Sequence, residues 1–335
     1  MIDQSGDSNT VEEILDPELQ ICDAHHHLWD FKGSRYLVEE LSRDIIGHRV
    51  TKTVFVECQS KYYESGPEQL RSVGETAFVD QITAHCQDNS NTPHIAAGIV
   101  AYADLRLGTA VDEVLEHHSQ ASARFRGIRF AAAWDASEQV HNAHTNPTPN
   151  LLADNTFREG FSCLGKRGLT FDTWLYFHQL PELTELARAY PEIPIILNHV
   201  GGPIGVGPYK DRRDEIFHVW QKYICDLSTL KNVFIKLGGL TMTAAGFGWN
   251  KRLKPASSIE LAESMGPYYH HCIQTFGPTR CMFESNFPVD STGASYYVLW
   301  NAFKRISRDY SMEERAALLH GTATRIYRLG VSTEV

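Results

Sequence analysis

The fold this sequence predicts is a (β/α)8 barrel. Three observations point to it: eight short β-rich runs recur along the chain, a stretch of helical spacing separates each from the next, and 335 residues is a length that such barrels use as one unit. The runs are Ile21 to His27, Lys52 to Glu57, His94 to Val100, Phe125 to Phe130, Leu169 to Tyr176, Ile193 to His199, Val233 to Leu237 and Arg280 to Ser285. Helical spacing falls at about 33–48, 67–86, 107–120, 155–166, 180–190, 211–229, 258–276 and 294–308, with Pro67 suited to a helix start. A further helix near 311–327 follows closure of the barrel. Residues 1–20 read as a polar, acidic arm and residues 21–335 as one barrel domain.

Composition narrows the partners. Forty-one acidic against 31 basic residues give a net charge of −10, and no long basic run argues for nucleic acid or an anionic membrane. The expected partner is a small-molecule substrate, with a homodimer as the base-rate assembly. Seven scattered cysteines form no C-x-x-C motif, and no apolar leader or membrane-length run occurs. These features predict a reducing, cytoplasmic setting.

The opening strand carries Asp23-Ala24-His25-His26-His27. Alternation places Asp23, His25 and His27 on one face and His26 on the other. Two imidazoles so spaced can share a metal ion or a substrate oxygen; the plain alternative is a hydrogen-bonded core pair. His199, at the end of the sixth run, can converge on them across the barrel mouth. Three long connections follow strands and so overhang the C-terminal face: Asp135 to Asn155, Gly201 to Tyr209, and Thr241 to Ser258. The last carries Trp249, read as exposed and pocket-lining.

Asp23-x-His25-x-His27, the turn Asn198-His199-Val-Gly-Gly-Pro203 and Glu284-Ser-Asn-Phe-Pro-Val-Asp290 together resemble the amidohydrolase superfamily, and within it the amidohydrolase-2 branch that includes sugar lactonases and 2-pyrone-4,6-dicarboxylate lactonase. The resemblance implies that His25, His27 and His199 bind a divalent metal, or polarise the substrate carbonyl directly in members that work without one. Its last strand normally supplies an Asp in a G/A-S-D-x-P pattern; here that position is Asn286, a fourth metal-site candidate whose neutral amide cannot act as a base. Zinc is the default ion for three histidines with an open position, while manganese and iron accept the same donors.

A carboxylate must then come from elsewhere. Glu57, at the end of the second run, and Asp290, in the eighth loop, are placed best at the mouth; Glu284 shares strand parity with Asn286 one layer deeper, and Asp172 lies on the fifth run. The plain alternatives are that Glu57 anchors a cation and that Asp290 caps a helix beginning near Gly293. His199 is a further candidate base. Arg129 and Lys236 can face the mouth and bind a carboxylate or an oxyanion, Arg129 alternatively pairing with Glu57 or Asp172. Trp174, Tyr176 and Trp249 are candidate walls for a planar ring, although aromatic strand residues are more often core. His178 reads as a residue leading into a helix.

The expected activity is hydrolysis of a lactone or related cyclic ester of a small substrate that carries, in one version, a carboxylate. Two alternatives accompany it: a metal-dependent decarboxylase, and a non-catalytic barrel serving as a binding subunit, the latter favoured by Asn286 and opposed by the three histidines.

Overall fold

The structure, a computed structural model, describes residues 12–87 and 92–330. Strand β1 (Ile21–His26) is followed by an antiparallel hairpin, β2 (Trp29–Phe31) and β3 (Ser34–Tyr36), and then by β4 (Val50–Val56), β5 (His94–Ala101), β6 (Phe125–Ala131), β7 (Thr170–Trp174), β8 (Ile195–Leu197), β9 (Val233–Leu237) and β10 (Cys281–Phe283). Apart from the hairpin, the strands form one eight-stranded parallel sheet in chain order. The ends meet where Asn286 N donates to His25 O at 2.8 Å and His27 N to Phe287 O at 2.7 Å. The result is the (β/α)8 barrel that the sequence predicts.

Helices α1 (Val38–Asp44), α2 (Val73–Thr83), α3 (Val111–Ala121), α4 (Asn155–Lys166), α5 (Leu180–Ala189), α6 (Arg213–Ser228), α7 (Ser258–Phe276) and α8 (Tyr296–Ile306) separate or follow the strands. The C-terminal helix near 311–327 is broken into α9 (Met312–Ala316) and α10 (Thr322–Ile326) by a wider π turn. The helix expected over 33–48 is shorter: Gly33, at φ +83°, turns the chain into the hairpin, and α1 begins only at Val38.

Two apolar cores result. One lies between barrel wall and helices. The other fills the lumen with Cys22, Ala24, Val54, Val56, Val100, Ile196, Phe234 and Met282, and is closed from below by Ala323, Tyr327 and Leu329. With that end packed solid, chemistry is expected at the C-terminal end of the barrel.

Because Cys22 and Ala24 face the lumen, Asp23 cannot, and the face expected to hold Asp23 with His25 and His27 is corrected. Its Oδ2 instead accepts from Tyr296 Oη on α8 at 3.0 Å. The pairing of β1 with β4 shifts register between Asp23 and His26. Oδ1 of Asp23 accepts from His25 N at 3.3 Å and Ser285 N at 2.9 Å across that irregularity, which re-aims the histidines inward.

Residues 1–11 of the predicted arm lie outside the described residues. Its remainder packs on α8, with Leu15 N donating to Asn301 Oδ1 at 3.0 Å and Lys304 Nζ to Leu15 O at 2.6 Å. Among the described residues, no helix is long and apolar enough to cross a membrane, and the seven cysteines are free.

Candidate active site

The three histidines meet at the C-terminal mouth, as the sequence predicts. His25 and His27 bring their Nε2 atoms within 3.2 Å of each other. The ring of His199 lies 4.8 Å, centroid to centroid, from that of His25. His199 follows Asn198, whose side chain reaches the lumen at Asp172; a left-handed turn, φ +53° at His199 and +49° at Val200, lets consecutive side chains both point inward. Non-glycine residues rarely adopt that conformation, and surrounding contacts must hold it.

Glu284 supplies them. Its Oε1 accepts from His199 Nδ1 at 2.7 Å and from His199 N at 3.0 Å. Its Oε2 stands 2.9 Å from His25 Nδ1 without hydrogen-bond alignment. The sequence ranks Glu284 below Glu57 and Asp290 because parity gives its direction but not its depth. Two glycines after β9 make the space: a Cβ on Gly238 would stand 2.3 Å from Glu284 Cγ, and one on Gly239, at φ +72°, 2.5 Å from His199 Cβ. Gly239→Ala is therefore expected to cost about 2 kcal/mol by overpacking. Denaturant unfolding checks this, an unchanged midpoint contradicting the close fit.

The proton positions follow from the partners. Val56 O can only accept, so His27 Nδ1, 2.8 Å away, carries the hydrogen and Nε2 is bare. Burial lowers the His27 pKa to about 3 and that of His25 well below its ordinary value. Asn286 donates Nδ2 to Asp290 Oδ1 at 3.1 Å, which turns its Oδ1 toward His27 Nε2 at 3.3 Å. Asn286 too is left-handed, at φ +53°.

Two acceptors facing each other, His27 Nε2 and Asn286 Oδ1, suit a cation between them, and His25 Nε2 stands at a similar distance. Ligands about 2.05 Å from a tetrahedral ion stand roughly 3.3 Å apart, and the separations from His27 Nε2 to His25 Nε2 and Asn286 Oδ1 are 3.2 and 3.3 Å. His25, His199 and Glu284 also lie close enough to be considered as a ligand set. There, however, the carboxylate is at hydrogen-bonding distance from two Nδ1 atoms, which suits a carboxylate placed behind the imidazoles. The residues that fit an ion best are thus His25, His27 and Asn286, with His199 beside them.

Other expected site residues fall differently. Glu57 and Arg129 form a buried pair: Arg129 Nε donates to Oε1 at 2.5 Å and Nη2 to the Glu57 backbone oxygen at 2.5 Å. Burial alone would raise the Glu57 carboxyl; Arg129 and His144 outweigh it and hold the group below the usual range. A carboxylate so stabilised is a poor base, and its cation is already engaged. Lys236 is corrected from the mouth to the lumen floor, fully buried, with Nζ 2.7 Å from Asp172 Oδ1 and 3.4 Å from His25 Nδ1.

Asp290 lies beside Asn286, and burial raises its carboxyl to about 8. It does not cap α8, whose N-cap is Ser295. Trp174 stands 6.3 Å from His199, ring to ring, with its buried Nε1 unpartnered among the described residues. Tyr176 is core, its hydroxyl held by His141 O at 2.5 Å. Trp249, expected to be exposed, is buried and stacked on Phe247 at 4.4 Å. His178 leads into α5 as predicted, bonded to Trp134 O at 3.0 Å. His144, in the loop after β6, stands 3.4 Å from Glu57 and was not singled out by its sequence neighbours.

Residues 22–329 match the family described as Amidohydrolase. The chain belongs to the amidohydrolase family. This amidohydrolase is 33% identical to the uncharacterized protein y4mH of Sinorhizobium fredii, over 93% of this chain and 99% of that one. It is 25% identical to an L-fucono-1,5-lactonase of Burkholderia multivorans, over 92% and 95% of the two chains. Its fold is similar to that of an amidohydrolase from Burkholderia multivorans solved with bound zinc, at a TM-score of 0.72 and 23% identity over 93% of this chain and 100% of that chain. Membership, with the lactonase-named relatives, makes the protein an enzyme.

Proposed function

We propose that this amidohydrolase opens a lactone by attack of water on its carbonyl. The observation that carries this reading is the His199–Glu284 pair, an imidazole anchored at Nδ1 by a fully buried carboxylate, beside the facing donors of His25, His27 and Asn286. The lactonase-named relatives support it.

In this mechanism Nε2 of His199 takes a proton from water as the oxygen bonds to the carbonyl carbon. Glu284 stabilises the imidazolium that forms, and its bond to Nδ1 fixes which nitrogen faces the water. The bond between the carbonyl carbon and the ring oxygen then breaks, and the imidazolium returns its proton to the departing oxygen. The product is a hydroxy acid. A divalent ion, zinc in our proposal, held by His25, His27 and Asn286, would polarise the carbonyl oxygen. Trp174 offers its indole N–H to an oxygen of the substrate beside His199.

The test joins two measurements on protein purified without a metal-affinity tag or chelator: metal per chain by plasma mass spectrometry, and acid release from a panel of five- and six-membered lactones. About one equivalent of zinc with ring opening is expected. Release of carbon dioxide from an unsaturated acid, with no lactone opened, would replace this reading with the decarboxylase.

A further inference from the structure

Ring opening yields a carboxylic acid, which ionises at neutral pH and so releases a proton. That proton starts in a screened place, because His25, His27, His199 and Asn286 are at most 4% exposed. An acceptor placed between these groups and solvent would clear it.

His144 has such a position. It projects from the long loop after β6, and its neighbours on both sides are tied to the end of that strand: Ala143 N donates to Ala133 O at 2.8 Å and Thr145 Oγ1 donates to Ala131 O. Within the loop, Asn142 Oδ1 accepts from Asp135 N at 2.7 Å and Asn146 N donates to Ala143 O at 3.1 Å. Ala143 and Thr145 are buried, whereas the His144 side chain is 29% exposed. The loop thus holds one imidazole at a fixed place over the strand end.

The inner edge of that imidazole faces a carboxylate. His144 Nε2 is buried 3.4 Å from Glu57 Oε1, outside hydrogen-bond alignment. Glu57, paired with Arg129, can only accept, so its charge favours the hydrogen on Nε2 and the lone pair on Nδ1. Because Nε2 is buried, the exposure lies on the rest of the ring, which carries Nδ1. Glu57 also stabilises the cation that His144 becomes on taking a proton.

Glu57 places this pair beside the reaction. It follows Val56, whose carbonyl accepts from His27 Nδ1 at 2.8 Å. After burial, the Arg129 charge is among the causes that lower the pKa of both His25 and His27.

We propose that His144 accepts the proton of the product acid and passes it to solvent. This rests on the lactone-opening reading and adds the step that clears the site. The O–H bond of the product carboxyl breaks as an N–H bond forms at Nδ1, leaving a carboxylate beside an imidazolium. The imidazolium then gives the proton to water or to a buffer base, which restores neutral His144. His199 meanwhile stays neutral for the next water.

His144→Ala and His144→Gln test this with the lactone that the wild type opens fastest in the five- and six-membered panel, the hydroxy acid being measured by chromatography. In dilute buffer, kcat of each variant is expected to fall about 10-fold with kcat/KM unchanged, because proton removal follows bond cleavage. Added N-methylmorpholine, a base that binds metal ions poorly, should restore kcat in both variants and leave the wild type unaffected. A purely structural role would lower kcat/KM as well and resist rescue. That result, or full activity of both variants in dilute buffer, overturns the proposal, while ring opening by the wild type leaves the lactonase reading standing. A wild type that opens no lactone overturns both.

Discussion

Replacing His199 with alanine is expected to lower kcat for lactone opening by about 10²–10⁴-fold while leaving the bound metal in place. The two halves of that result separate base from ligand. His25 Nε2, His27 Nε2 and Asn286 Oδ1 have the spacing of an ion cradle, whereas His199 is held through Nδ1 by Glu284. Glu284→Gln keeps an acceptor for one imidazole but removes the charge that stabilises the imidazolium, so a smaller fall of about 10–100-fold is expected. Steady-state kinetics with metal analysis of each variant checks both. If His199→Ala loses its metal as well as its activity, His199 is a ligand, as the family resemblance implies; if it keeps full activity, the base has been misassigned.

Arg129→Met is expected to destabilise the protein by about 3–5 kcal/mol, because it leaves Glu57 buried without its cation. Glu57 is fully buried, and Arg129 is 5% exposed. Without the guanidinium, burial governs Glu57 and raises its folded pKa above the unfolded value. The variant therefore keeps most stability below the unfolded carboxylate pKa and loses it as pH rises through the folded value. Urea unfolding of Arg129→Met between pH 4 and 8 checks this, and adding Glu57→Gln should remove the pH dependence attributable to this group. A variant as stable as wild type across that range would show the pair to be dispensable.

The barrel was legible because its strands and helices each repeat a local period, and the histidines because they sit at strand ends. What sequence spacing could not supply was depth and local turning. Lys236 has the strand position expected of an inward side chain, yet lies on the lumen floor against Asp172. Asp23 was misread because the register shift beside it exchanges the two faces. His199 points inward through backbone angles that its residue type does not advertise. Trp249 lies in a loop rich in Gly, which reads as surface, but its stacking partner Phe247 is only two residues away. The hairpin after β1 did leave a signal in Lys32-Gly33, outweighed by the apolar spacing that follows.

Asn286 looked like a loss when compared with the family pattern. Position by position, Glu284-Ser285-Asn286 instead carries its acid two residues earlier, where the pattern has Gly or Ala. That acid fits because Gly238 leaves room for it. The two positions should therefore pass between lineages as one inherited character: homologues with glutamate at 284 should keep glycine at 238, and a larger residue at 238 should be found only where 284 has become small. An ancestor moving between the two patterns would have had to open the space at 238 before the glutamate arrived.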